Sequence, residues 1–154
     1  MYFGGIDPGK SGGIVVLSKD GDVLVKEKMG TEKDTWELLS YVSTFFPGIF
    51  FYLEEITALP KEMRGSISSF KFGMNYGGIR MALIGNRIPF DVIRPQRWQA
   101  IMKCKGEKIV KKSRAQELFP NIKVTNWLAD ALLIAECNRR CRCYLSEREL
   151  NKEV

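Results

Sequence analysis

The sequence predicts a single α/β domain, a five-stranded mixed β-sheet flanked by α-helices. Three observations carry this: three short strands at the N-terminus, an apolar strand closing on acids in mid-chain, and a late helix with one apolar face. A chain of 154 residues is the size of one domain and buries about 70% of its unfolded surface. We expect residues 1–145 to form the domain and 146–154 a C-terminal tail.

The N-terminal octapeptide Gly4–Ser11, GGIDPGKS, fits the nucleotide-binding pattern G-x-x-x-x-G-K-[ST] letter for letter. Such a loop needs a strand before the first glycine and a helix starting at the Lys-Ser, whose N-terminus cradles the phosphates. Both flanks are wrong here. Only Met1, Tyr2 and Phe3 precede the first glycine, and GGIVVLSKDGDVLVKEK follows Ser11 as strand, turn and strand. The stretch therefore reads as strand Tyr2–Asp7, turn Pro8–Gly13, strand Ile14–Ser18 and strand Val23–Lys28. This is an antiparallel meander with a carboxylate, Asp7, ending its first strand.

Next, Thr31–Phe46 sets Trp36, Leu39, Val42 and Phe46 at near-helical spacing and stops at Pro47-Gly48. Ile49–Glu55 (IFFYLEE) is an apolar run closing on acids, the pattern of a buried central strand. A loop with Pro60, Met63, Arg64 and Gly65 follows, then a helix over Ser69–Gly85 and a strand over Pro89–Ile93. Pro95–Met102 is a short helix with proline at a favoured first position. Lys108–Phe119 is a basic amphipathic helix stopped by Pro120. Asn126–Arg142 is a helix with Leu128, Ala129, Leu132, Leu133 and Ala135 turned inward. The order is βββαβαβα with one extra helix.

Lysine and arginine outnumber aspartate and glutamate by 24 to 18, a net charge of +6. The excess is concentrated. Lys103, Lys105, Lys108, Lys111, Lys112 and Arg114 face only Glu107 in their stretch, and Arg139, Arg140 and Arg142 cluster later. Such stripes suit a phosphate backbone, and equally a solvated helix face. No apolar run of ~18 residues could span a bilayer, and no charged-then-apolar leader opens the chain. The expectation is a cytoplasmic protein without a membrane partner, in a bacterium or a virus-infected host cell. Cys104, Cys137, Cys141 and Cys143 are bunched late, which argues against a stapled extracellular scaffold. They read as thiols of a reducing compartment, with a zinc site of unfamiliar spacing as the alternative.

The acids fall at telling places. Asp7 ends the first strand and Glu54 nearly ends the central one. Burying carboxylates at core strand ends is costly unless they are paired or bind a cation. Asn126 and Asp130 lie one turn apart on one helix face, and Asp130 runs straight into Ala-Leu-Leu-Ile-Ala. Each acid alone reads best as a cap or an ion-pair partner. The set, on this element order, reads as an oxygen-only cage for Mg²⁺ or Mn²⁺. The chain has no histidine, which excludes imidazole bases and His-ligated zinc, so a hydrolase here needs a metal to generate its nucleophile.

GIDPGKSGG, YLEEITALP, FKFGMNYGGIRMAL, VIRPQRWQ, KKSRAQELFP and LADALLIAE, which span most of the chain, resemble RuvC-type Holliday-junction resolvases of the ribonuclease H-like superfamily. The likeness is to the compact forms found in phages and prophages. It implies a ribonuclease H-like fold and a metal-dependent endonuclease that resolves four-way and other branched double-stranded DNA. Paired nicks in opposed strands need two active sites, hence a homodimer. The resemblance implies Asp7, Glu54 and Asp130 as catalytic metal ligands; Glu55 would point to the opposite strand face. Two Mg²⁺ or Mn²⁺ ions per active site would lie about 4 Å apart, one activating water and one steadying the leaving 3′ oxygen.

One departure matters. The family pattern has a further acid shortly before the A-D-A-L segment, where this chain has Asn126, by nature or by substitution. An amide oxygen brings no charge, so one ion should bind more weakly and cleavage should be poor. For DNA, Lys111 and Lys112 are the expected phosphate contacts, with Arg97, Lys105 and Lys108 behind them and Lys10 in the first turn. Met63, Arg64, Phe70 and Phe72 flank the active-site loop, where aromatics can wedge against bases; core packing is their competing fate. Gly73, Gly77 and Gly78 weaken their helix by ~1 kcal/mol each and suit close approach at a two-fold interface, or packing on the sheet. Two rivals remain. An actin-like ATP-handling protein needs a duplicated domain, and a non-catalytic branched-DNA binder would fit Asn126.

Overall fold

A computed structural model of the chain describes residues 1–56, 65 and 67–150, with side chains as far as 143. The elements are β1 (Tyr2–Asp7), β2 (Gly13–Leu17), β3 (Val23–Lys28), α1 (Glu32–Phe45), β4 (Ile49–Glu54), α2 (Ile67–Gly85), β5 (Phe90–Ile93), α3 (Pro95–Ile101), α4 (Lys108–Leu118) and α5 (Asn126–Leu150). They form one five-stranded sheet of order β3-β2-β1-β4-β5. The β1/β2 and β2/β3 pairs are antiparallel, and β1/β4 and β4/β5 are parallel. No helix starts at Ser11, and the chain enters β2 two residues later. The nucleotide-loop spelling therefore lacks the helix that gives it meaning.

Strand alternation distributes the core over two faces. On one, Ile6, Ile14, Val16, Phe51 and Leu53 pack against Leu39 and Val42 of α1 and Ile79 and Leu83 of α2. On the other, Val15, Leu17 and Ile93 pack against Trp98, Met102, Ala115 and the run from Leu128 to Cys137. β2 is covered on both sides, which explains its uninterrupted Ile-Val-Val-Leu. β4 instead alternates buried and half-buried residues. Its second face carries Phe50, Tyr52 and Glu54, and Arg142 stacks over the Phe50 ring at 3.5 Å. α1 opens with a reciprocal cap. Asp34 N–H donates to Thr31 Oγ1 at 3.1 Å, and Thr31 N–H donates to Asp34 Oδ2 at 2.8 Å. Trp36, placed inward by spacing, is exposed at the edge of that helix and lies over Gly85 of α2.

Two contacts fix α5 on the sheet. A β-carbon at Gly5 would collide with the backbone N of Ala135 and the carbonyl of Ala131, so helix and strand backbones meet with no side chain between them. The buried Asn138 amide donates to the carbonyls of Gly4 and Phe50, at 2.9 and 2.7 Å, tying the helix to β1 and β4 together. The helix runs on to Leu150, past the expected end at Arg142 and across the expected start of the tail. The cysteines form no disulfide. Among the described residues no helix is long and apolar enough to cross a membrane.

The Gly5 contact gives a stability prediction. Gly5→Ala forces α5 off β1 and should lower stability by at least ~1–3 kcal/mol, the usual scale of overpacking. The check is urea or thermal unfolding; an unchanged midpoint would mean the contact does not hold the helix.

Candidate active site

The parallel register brings two acids abreast. Ile6 lies opposite Leu53, so the next residues, Asp7 and Glu54, end neighbouring strands side by side, about 4.8 Å apart by strand spacing. Both belong to the strand face covered by α5, since Leu53 and Ile6 point to the other. Asp130 precedes Ala131, whose carbonyl meets Gly5, so α5 carries its carboxylate to the same strand end. The turn after Asp7 is shaped around that side chain. Gly9 N–H donates to Asp7 Oδ1 at 3.2 Å, and a β-carbon at Gly12 would lie 2.6 Å from Asp7 Cγ. Gly12, just past the octapeptide, thus makes room for the carboxylate, and Gly9 within it supplies an N–H.

The electrostatics show how tightly the acids are grouped. Burial pushes Asp7 up to about 6; the Gly9 N–H opposes the rise and Asp130 adds to it. Burial, then repulsion from Asp7, pushes Glu54 up to about 7, and a hydrogen bond from Trp98 partly offsets this. That bond runs from the Trp98 Nε1–H to Glu54 Oε1 at 2.9 Å, and Trp98 is wholly buried. Positive charge comes from α4. Lys111 Nζ lies 3.4 Å from Asp130 Oδ2, its side chain 15% exposed, and 5.9 Å above the Trp98 ring. It also lowers both Asp7 and Glu54, and Lys108 lowers Asp7.

Sequence reasoning placed Lys111 on a phosphate, whereas here its ammonium is turned onto the acids. It missed Trp98, because a tryptophan in a short helix reads as core filler until the partner of its N–H is known. Asn126 is the exposed first residue of α5, one turn before Asp130. Lys112 is half-buried on α4 beside Lys111, and Lys105 and Lys108 are exposed. Lys10 and Phe72 line one cavity near the turn. Arg97 stands apart, in a groove at the β5 edge with Arg94 and Glu55. Glu55 is turned away from the other acids and pairs with Arg94 at 3.1 Å. Phe70 is 69% exposed, so core packing is not its fate. Met63 and Arg64 lie outside the described residues.

Among the described residues no three histidine, cysteine, aspartate or glutamate side chains stand close enough to hold a metal ion. The donor chemistry nonetheless fits a hard divalent cation. The cluster offers carboxylates alone, and burial with mutual repulsion holds two of them above their ordinary range, a penalty that a bound cation relieves. In this arrangement Lys111 supplies the positive charge.

A three-stranded antiparallel meander continued by two parallel strands, with helices on both faces, is the ribonuclease H-like α/β fold. The particular fold is that of RuvC. The chain is similar to a structure of Thermus thermophilus RuvC and to one of T. thermophilus RuvC in complex with Holliday junction substrate. For each the TM-score is 0.71 at 19% identity, over 93% of this chain and 96% of that chain. No protein-family model and no curated protein sequence matches.

The raised acids set a pH dependence. With folded values of about 6 and about 7, the native state keeps protons that the unfolded chain has already released above about pH 4. Without divalent cations, the stability these two groups contribute is therefore full below about pH 4 and is lost as pH rises through 6 and 7. Thermal unfolding in EDTA should show this fall, and Asp7→Asn with Glu54→Gln should flatten it. A slope that survives the double substitution would mean other groups carry it.

Proposed function

We propose that the chain is a metal-dependent endonuclease that resolves four-way and other branched DNA, acting as a homodimer. The observation that carries this reading is the meeting of Asp7, Glu54 and Asp130 at one end of a RuvC-like sheet, beneath a lysine-bearing helix. The RuvC complex with Holliday junction substrate supports branched DNA as the ligand. Asp7, Glu54 and Asp130 would hold Mg²⁺ or Mn²⁺, and the Asn126 amide, on the Asp130 face of α5, would add a neutral oxygen. Bound cations would supply an activated water and charge neutralisation at the scissile phosphate.

The chain's own groups do the rest. Trp98 holds Glu54 in one orientation, and Gly9 does the same for Asp7. Lys111 pairs with Asp130 at 3.4 Å and would be available to a phosphate if bound cations took over that charge. Lys112, Lys108, Lys105 and Lys10 contact the backbone of the same strand. Arg97, at the β5 edge, serves a neighbouring arm.

The dimer reading rests on α2. Ile67, Phe70, Met74, Gly77, Met81 and Ile84 recur at alternating steps of three and four, the seam spacing of paired helices. The five large ones are each half or more exposed. Gly73 and Gly77 face open space, so they do not pack on the sheet; they leave room for a second helix. Met81→Lys should turn a dimer into a monomer in sedimentation velocity with the fold intact by circular dichroism. An unchanged mass would move the interface elsewhere.

Asn126 favours one second reading, a branched-DNA binder without cleavage. The test is nicking of a synthetic four-way junction with Mn²⁺ and with EDTA. We expect weak, metal-dependent, symmetric nicks that Asp7→Asn abolishes. Asn126→Asp should raise them on the order of 10-fold or more, the scale of metal-site substitutions. Binding with no nicks from either chain would establish the binder, and equal nicking by both would remove Asn126 from the ligand set.

A further inference from the structure

Beside the acids lies a cavity of about 520 Å³ that the reading above does not use. It opens between the Pro8–Gly13 turn, the chain between β3 and α1, and the first turns of α2. We propose that it receives a single nucleotide unstacked from the DNA strand that passes the acids. The inference rests on the nuclease reading and adds to it a reason why branched DNA is preferred.

Size, charge and lining agree on the class of occupant. The volume lies within the range of small-ligand sites and suits one nucleoside. Lys10 and Lys71 stand in the wall, and no carboxylate does among its described residues. Two lysines, one on the first turn and one on α2, match the phosphates that adjoin one base. Phe72 and Met29, both half-buried, give the apolar surface on which a base can stack whatever its identity. Asn75 and Ser68 supply the polar groups that can meet a base edge.

Position completes the argument. The Asn75 Nδ2–H donates to the carbonyl of Pro8 at 2.9 Å, and Pro8 follows Asp7. The cavity wall is thereby hydrogen-bonded to the residue beside the first acid, so a strand laid across the carboxylates passes the cavity mouth within a nucleotide or two. Unstacking a base from an intact duplex is costly, and least so where stacking is already broken. A branch point is such a place. The cavity would then favour junctions over linear duplex without reading sequence.

The test uses four-way junctions carrying one 2-aminopurine at each position around the crossover in turn, bound in EDTA so that the strands stay whole. Binding is followed by gel shift and unstacking by fluorescence. We expect one position per cut strand to brighten at least 2-fold, with no such response in linear duplex. Phe72→Ala should abolish that response and weaken junction binding on the order of 10-fold, while Phe72→Tyr keeps it. Lys71→Ala, on an exposed side chain, should reduce it without disturbing the fold. If the wild-type chain fails to bind junctions, the nuclease reading falls and takes the inference with it. If junctions bind but no position brightens, or the response is unchanged in Phe72→Ala and Lys71→Ala, the cavity is not a nucleotide site and the nuclease reading stands.

Discussion

The close approach of α5 to β1 at Gly5 is the constraint on which the rest of the molecule depends. With no side chain between the two backbones, helix and strand sit in direct backbone contact, and even a β-carbon at Gly5 would push them apart. Asn138, two turns past Ala131, pins the same helix to β1 and β4 through two carbonyls. Between these contacts the helix can neither slide nor roll far. Asp130, immediately before Ala131, is thereby held at the strand end where the parallel β1/β4 register has already set Asp7 beside Glu54.

That arrangement is unfavourable without compensation. Three acids from three elements meet where burial disfavours charge, and the raised Asp7 and Glu54 register the strain. The chain compensates locally, with the Trp98 N–H on Glu54, the Gly9 N–H on Asp7 and the Lys111 ammonium on Asp130. Packing that strains its own polar groups marks a functional site more often than a structural one. Lys111 has the more interesting position of the three. Its ammonium lies against Asp130 and over the Trp98 ring, and it lowers both Asp7 and Glu54, so one cation screens all three acids.

Much of this was legible in the sequence, and the reasons differ by element. The meander could be read because its turns are spelled by Pro8, Gly9, Gly12 and the Asp20-Gly21 pair, which mark chain reversals whatever the tertiary context. α5 could be read as a core helix because Ala131–Ala135 is apolar throughout, and the helix is buried all round from there to Asn138. α2 resisted the same treatment. It is apolar nearly all round, with Ile79, Ala82 and Leu83 buried and Met74, Met81 and Ile84 exposed, so periodicity cannot choose a face. Trp98 and the inward turn of Lys111 were invisible for another reason. Each depends on a partner more than fifteen residues away in the chain, and no local pattern records such a pairing. The N-terminal octapeptide shows the converse. Its letters match a phosphate loop, but a strand follows where that loop requires a helix.

Asp7, Glu54 and Asp130 together would form a divalent-cation site. Calorimetric titration of Mn²⁺ into the DNA-free protein at pH 8, above both raised carboxyl values, tests it without recourse to cleavage. Saturable binding is expected, and its loss in Asp7→Asn and in Glu54→Gln, both folded by circular dichroism. Binding that persists unchanged in both variants would contradict it.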